Sequence, residues 1–230
     1  MRTLGLIGGT SWVSTVDYYT YINRMTNERL GGVSSAKLFL YSLNMEEFAK
    51  FGQANDWDGL GNYLSGIAKK LEAQGAEAIV ICANTPHLAA DKIQAGIKIP
   101  IIHIAEETAK EIVKHKINKV ILLGTKFTME HDFFKKILFK YGIETIIPEA
   151  SDREFIHSSI FSELGRGIFT NETKKKYLQI ISKLQEQETK GVILGCTEIP
   201  MLIKQEDCSI MTFDTTLIHS RAAVDFSFSP

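Results

Sequence analysis

An internal repeat is the feature that most constrains how this chain can fold. An apolar segment ends at Gly8 in the first half and at Gly124 in the second half, and each passes through a threonine into a helical pattern. A later apolar segment ends at Cys82 in the first half and at Cys196 in the second, 74 and 72 residues after the respective glycine. The matched spacing predicts two similar units of roughly a hundred residues.

Short apolar segments alternate with longer segments of helical period along the whole chain. The predicted strands are apolar on both faces, as buried parallel strands are. Helices are predicted at 15–30, capped by Ser14 and Asp17, and at 57–74, where leucines and isoleucines share one face. This alternation predicts an α/β fold with mainly parallel sheets. The eight predicted strands are Leu4–Gly8, Lys37–Leu43, Ala78–Cys82, Ile99–Ile104, Lys119–Leu123, Glu144–Ile147, Gly191–Leu194 and Ser209–Phe213.

Charge and hydropathy exclude several classes of function. The 26 Lys and Arg against 27 Asp and Glu leave no basic surplus for nucleic acid. No apolar run approaches the roughly 18 residues that span a membrane, and the N-terminus lacks a signal peptide's apolar region. The three Cys form no CxxC pair and no even disulfide set. The sequence therefore predicts a cytoplasmic protein with free thiols, no nucleic-acid partner and no membrane segment.

Small polar residues follow four of the predicted strands. In open α/β sheets ligands bind beyond the carboxyl ends of the strands, where helix N-termini attract anions. Residues 8–11, 82–85, 124–125 and 195–197 occupy such ends, and we expect them to bind a carboxylate. The chain has neither a GxGxxG nor a P-loop motif, and no cluster with metal-ligand spacing. We therefore expect no nucleotide, no metal and no pyridoxal cofactor.

Cys82 and Cys196 are the candidate catalytic residues. Cys82 precedes a predicted helix that Thr85 can cap, and Cys196 precedes a short helix. The positive end of each helix would lower the thiol pKa and favour the thiolate. A racemase removes the α-proton from one face of a carbon and returns a proton to the other, so two equivalent thiols related by a pseudo-twofold axis suit that reaction. Cys208 has no counterpart in the first half and is read as an incidental thiol.

Five short motifs spread along the chain are similar to those of one protein family. They are GGTSW at 8–12, CANTPH at 82–87, GTKFTM at 124–129, GCTEI at 195–199 and FDTTLIH at 213–219. In them the chain resembles the aspartate/glutamate racemase family, whose members racemise amino acids without a cofactor. The resemblance implies two similar parallel-sheet α/β domains, 1–98 plus 210–230 and 99–209, with the active site in the cleft between them, and a homodimer. It also implies the catalytic residues Cys82 and Cys196, with substrate-binding residues Thr10, Ser11, Asn84, Thr85, Thr125, Thr128, Thr197 and Glu198.

Several activities remain open at this level. Only Lys50 and Arg166 are available in the stretches that would hold a distal carboxylate, so we expect weaker selectivity for aspartate than in relatives with more basic residues. The alternatives within the superfamily are a hydantoin racemase and an arylmalonate decarboxylase, which needs only one protonating Cys. Outside it they are a non-catalytic amino-acid-binding module and a Cys hydrolase that pairs Cys82 with His87.

Overall fold

The eight predicted strands form two parallel sheets in the computed structural model, which describes residues 1–229. All pairings between neighbouring strands are parallel, which confirms the α/β fold class. The first sheet consists of β1 (Leu4–Gly8), β2 (Leu38–Ser42), β3 (Ala78–Ile81) and β4 (Ile101–Ile102). The second sheet consists of β5 (Lys119–Gly124), β6 (Glu144–Ile146), β7 (Gly191–Gly195) and β8 (Met211–Asp214).

The two sheets have the same strand order. The first runs β2-β1-β3-β4 and the second runs β6-β5-β7-β8. In each, the chain moves first to one side of the starting strand and then to the other, so a topological switch point lies between β1 and β3 and between β5 and β7. Such switch points are where α/β sheets bind ligands, and Cys82 and Cys196 follow equivalent strands there.

Helices connect successive strands within each sheet. Short 3₁₀ segments at Thr85–Ala89, Leu164–Arg166 and Gln205–Asp207 complete the regular structure. The helices are α1 (Trp12–Leu30), α2 (Met45–Ala54), α3 (Trp57–Ala73), α4 (Ala90–Gln94), α5 (Ile104–Lys114), α6 (Lys126–Glu130), α7 (Asp132–Lys140), α8 (Ala150–Ser162), α9 (Asn171–Gln185), α10 (Ile199–Leu202) and α11 (Thr215–Phe228). Among the described residues, no helix combines the length and the apolar character needed to cross a membrane.

The chain divides into two compact units. Met1–Ile104 and the C-terminal residues from His219 onward form the first, and Ala105–Ile218 form the second. The sequence assigned the strand after residue 210 to the N-terminal domain, but β8 pairs with β7 in the second sheet. Likewise β4, placed beyond residue 98 in the C-terminal domain, pairs with β3 in the first sheet. Strands joined by a short crossover usually become neighbours, and that local rule decides both cases.

Each unit buries its own apolar core. In the first unit, Leu4 and Leu6 of β1 pack with Tyr18 of α1 and with Val224 of α11. In the second, β5 and β7 pack against α8 and α9. The expectation that every strand is buried on both faces is wrong for β2, which is an edge strand with exposed Phe39.

The turn between β1 and α1 depends on glycine. Gly9 has φ +86°, and a Cβ atom there would lie 2.1 Å from the Leu43 carbonyl oxygen. Only glycine permits this conformation together with this close approach. The helix then begins three residues earlier than the sequence predicts, because its N-cap is Ser11 rather than Ser14. The Gly9 N–H donates to Thr15 Oγ1 at 2.9 Å, which holds the turn against the first helical turn.

Candidate active site

Cys82 lies directly after β3, beside the end of β1. Ile7 and Ile81 are paired in the parallel ladder, and the Cys82 N–H donates to the Ile7 carbonyl at 2.9 Å. The loops that follow β1 and β3 therefore leave the first sheet side by side. The Cys82 side chain is fully buried, and its thiol donates to the Val80 carbonyl at 3.7 Å.

Polar side chains surround these two loop starts. Thr10, Asn84 and Thr85 are all buried, and Ser11 is half-buried. Thr10 Oγ1 has no hydrogen-bond partner in the protein, and a bound ligand could satisfy such a buried hydroxyl. The sequence suggested that Thr85 caps the next helix, but Asn84 occupies the N-cap position of a 3₁₀ segment that starts at Thr85.

A cluster of histidines lies beneath the Cys82 loop in the first unit. His87 Nδ1 lies 2.8 Å from the Ala83 carbonyl oxygen, and the Ile104 N–H donates to His87 Nε2 at 3.3 Å. His219 Nε2 lies 2.6 Å from the Ile102 carbonyl oxygen, and its Nδ1 lies 2.9 Å from the Tyr18 hydroxyl. Both imidazoles are buried, and both ring nitrogens of each have a hydrogen-bond partner.

Cys196 occupies the equivalent position in the second unit. It follows β7, whose Gly195 is paired with Gly124 at the end of β5. Its thiol donates to Glu198 Oε2 at 2.9 Å, and Thr197 Oγ1 donates to the same oxygen at 3.1 Å. All three side chains are buried, with Glu198 only 3% exposed. A carboxylate acceptor in contact with Cys196 distinguishes this thiol from Cys82.

The loop after β5 carries the last two predicted residues, Thr125 and Thr128. Thr125 is the N-cap of α6, and its Oγ1 accepts a hydrogen bond from the Thr128 N–H at 3.2 Å. The two hydroxyls lie 3.2 Å apart and both are buried. Part of the polar capacity of this pair therefore goes into capping the helix.

Burial dominates the protonation of both candidate thiols. It raises the pKa of Cys82 far above its ordinary value. Burial also raises the pKa of Cys196, and the charge of Glu198 raises it further. The expectation that short helices would favour the thiolate is wrong for this structure, because desolvation outweighs the positive end of a helix of only a few residues.

The structure groups the predicted residues in two sets, one in each unit. The first set consists of Thr10, Ser11, Cys82, Asn84 and Thr85, and the second consists of Thr125, Thr128, Cys196, Thr197 and Glu198. Sequence reasoning did not identify the roles of Thr15, Tyr18 and His219. Thr15 lies four residues after Ser11, and this helical spacing is a local signal that could have indicated its role. The partners of Tyr18 and His219 are too distant in sequence to be predicted. No group of three or more His, Cys, Asp or Glu side chains in residues 1–229 is arranged to hold a metal ion.

Comparison with known proteins gives consistent matches. The family model described as Asp/Glu/Hydantoin racemase matches residues 7–223. The crystal structure of a Yersinia pestis protein, provisionally assigned as an Asp/Glu racemase, is 43% identical, with a TM-score of 0.93 and coverage of 100% of both chains. An aspartate racemase homologue from Pyrococcus horikoshii OT3 is 39% identical, with a TM-score of 0.86 and the same coverage. The broad specificity amino-acid racemase RacX of Bacillus subtilis is 24% identical over 176 residues, 74% of this chain and 73% of that protein.

Proposed function

Since this chain belongs to the Asp/Glu/hydantoin racemase family and is thus an isomerase, we propose that it is a cofactor-independent amino-acid racemase with two catalytic thiols. Cys82 and Cys196 act on opposite faces of the substrate Cα. One observation carries this proposal: two buried thiols follow equivalent strands at the switch points of two sheets with the same strand order. A reaction that needs a base on each face of one carbon matches that duplication.

The hydrogen bond between Cys196 and Glu198 supports Cys196 as the base that acts on one of the two enantiomers. Its thiol already donates to Glu198 Oε2, so moving that proton onto the carboxylate forms a thiolate without releasing a proton to solvent. The thiolate then takes the α-proton, and the bonding electrons remain on Cα. The Cys82 thiol protonates the other face. This transfer leaves Cys82 as a thiolate, which is the base for the opposite enantiomer, and the Cys196 thiol, which has gained the α-proton, is then the acid. Both thiols must stay reduced, which agrees with a cytoplasmic location.

The substrate α-carboxylate is the group we assign to the polar loop residues. Deprotonation at Cα places negative charge on that carboxylate, and buried hydroxyl and N–H donors stabilise it. The Thr10 hydroxyl, buried and without a protein partner, is the strongest single candidate. The remaining proposed contacts are Ser11, Asn84, Thr85, Thr125, Thr128, Thr197 and Glu198.

The proposed substrates are aspartate and glutamate together with neutral amino acids. Lys50 and Arg166, the basic residues in the stretches expected to hold a distal carboxylate, are both exposed. An exposed cation contributes little to the selection of a charged substrate, because water screens it. A turnover screen over single amino acids tests this range. A large preference for aspartate over every neutral amino acid would contradict it.

We further propose that the protein is a homodimer that buries one side of α1. Trp12, Val16 and Tyr19 recur at helical spacing on this helix, and Trp12 is 71% exposed. Exposed apolar side chains that share one face of a helix are characteristic of an interface. Sedimentation of the wild type and of Val16→Asp tests the proposal. A monomeric wild type would overturn it.

Deuterium exchange at Cα tests the two-base mechanism. The purified protein is incubated in deuterium oxide with each enantiomer, and α-deuterium and enantiomer composition are measured. We expect Cys82→Ala and Cys196→Ala each to lose racemisation, while each retains exchange of only one enantiomer, opposite in the two variants. Cys208→Ala is the matched control and should behave as wild type. Substantial racemisation by either active-site variant would refute the mechanism.

A further inference from the structure

His87 joins the loop that carries Cys82 to the start of α5. The Ala83 carbonyl directly follows Cys82, and the Ile104 N–H begins α5. We propose that His87 is a positioning residue that fixes the backbone beside the Cys82 thiol by holding both groups at once. This inference rests on the proposed racemase function, and it assigns His87 no contact with the substrate.

The two hydrogen bonds permit only one form of the imidazole. A carbonyl oxygen can only accept, so Nδ1 must carry a proton and donate to Ala83. The Ile104 N–H can only donate, so Nε2 must be unprotonated and accept. The neutral Nδ1–H tautomer satisfies both, whereas a protonated ring would direct a second N–H at the Ile104 amide. This bond pattern also argues against the Cys–His hydrolase considered from the sequence, since both nitrogens of His87 are occupied.

The surroundings of His87 keep the ring neutral. His103 and His219 face it, with ring centroids 4.6 Å and 5.6 Å away. Burial lowers the pKa of His87 well below its ordinary value, and the two neighbouring histidines lower it further. His219 is itself held through the carbonyl of Ile102, two residues before Ile104. His87 and His219 are therefore both neutral at physiological pH and retain their hydrogen bonds behind the Cys82 loop.

A pair of double variants tests this role by separating the two thiols. His87→Phe keeps a ring of similar volume and removes both hydrogen bonds. In the Cys196→Ala background only Cys82 exchanges, and we expect His87→Phe to reduce that exchange about 10- to 100-fold, the scale of a small misplacement of a reacting group. In the Cys82→Ala background the exchange by Cys196 should stay close to its starting value. His87→Asn, which retains a donor near the position of Nδ1, should recover part of the Cys82 exchange. His115→Asn, at an exposed imidazole, is the control.

Every result of these exchange experiments either supports or overturns the positioning role of His87. An equal loss of exchange in both backgrounds, or no loss in either, would overturn it. Nitrogen NMR of the imidazole tests the inference without activity, since the Nδ1–H tautomer should persist from about pH 5 to about pH 8. An Nε2–H tautomer or a protonated ring in that range would also overturn it. If the wild type exchanges no amino acid, the proposed function fails, and the tautomer still decides whether His87 holds the loop.

Discussion

Replacement of Glu198 by Gln should separate two effects of this carboxylate on Cys196. The substitution removes a negative charge and keeps the size of the side chain. Glu198 Oε2 lies 2.9 Å from Cys196 Sγ, and both side chains are buried. The charge of Glu198 is one of the causes that raise the pKa of Cys196, so its removal should lower that pKa.

The distance sets the scale of the change. Two unit charges at this separation repel by roughly 6 kcal/mol at an effective dielectric constant of about 20. Loss of this repulsion in Glu198→Gln should therefore lower the pKa of Cys196. The pKa should remain above that of an exposed thiol, because burial is the larger cause and the substitution leaves it in place. A background with a single cysteine makes this measurable. In Cys82→Ala/Cys208→Ala, Cys196 is the sole thiol, and thiolate absorbance against pH reports its titration.

Catalysis should change in the opposite sense. Gln cannot take up the thiol proton, so we expect exchange of the enantiomer served by Cys196 to fall about 10²- to 10⁴-fold although the thiol is more acidic. Exchange of the other enantiomer should fall less. Glu206→Gln, at an exposed carboxylate, is the control. Faster exchange by Cys196 would refute the role of Glu198 as proton acceptor, and an unchanged pKa of Cys196 would refute the electrostatic argument.

Three further predictions concern stability and cofactors. Gly9→Ala should lower the free energy of unfolding by more than about 2 kcal/mol, because the new Cβ would clash with Leu43. Gly75→Ala, also at positive φ but with open space around it, should lower it by only about 1 kcal/mol. Equal losses of stability in urea unfolding would contradict the close approach at Gly9. Burial lowers the pKa of His219 to about 4, so the unfolded chain binds the extra proton between about pH 6.5 and 4, and stability present above this range should decrease by roughly 3 kcal/mol as the pH falls through it. If the stability of His219→Asn decreased in the same way with falling pH, the loss would belong to other titratable groups. Racemisation should persist after dialysis against a chelator and without pyridoxal phosphate, and loss of turnover under either condition would oppose the proposed chemistry.

The repeat and the strand positions follow from the sequence because their signals are local. A short apolar run between helical patterns is readable within about 20 residues, and all eight strands lie where such runs predict them. The placement of Cys82 and Cys196 after equivalent strands follows from the same pattern. The domain bounds implied by the resemblance misplaced β4 and β8, because each of these strands pairs with the strand that precedes it in the chain.

Only the tertiary structure decided how the candidate thiols are protonated and supported. The sequence suggested that helix ends favour the thiolate, but desolvation is a sum over every group packed around a side chain, and no short segment of sequence contains that sum. The contact of Tyr18 with His219 joins residues 201 positions apart. The Glu198 carboxylate lies only two residues from Cys196, yet its contact with the thiol depends on the backbone path after β7. Local sequence therefore determined which residues stand at the strand ends, and long-range packing determined their chemical state.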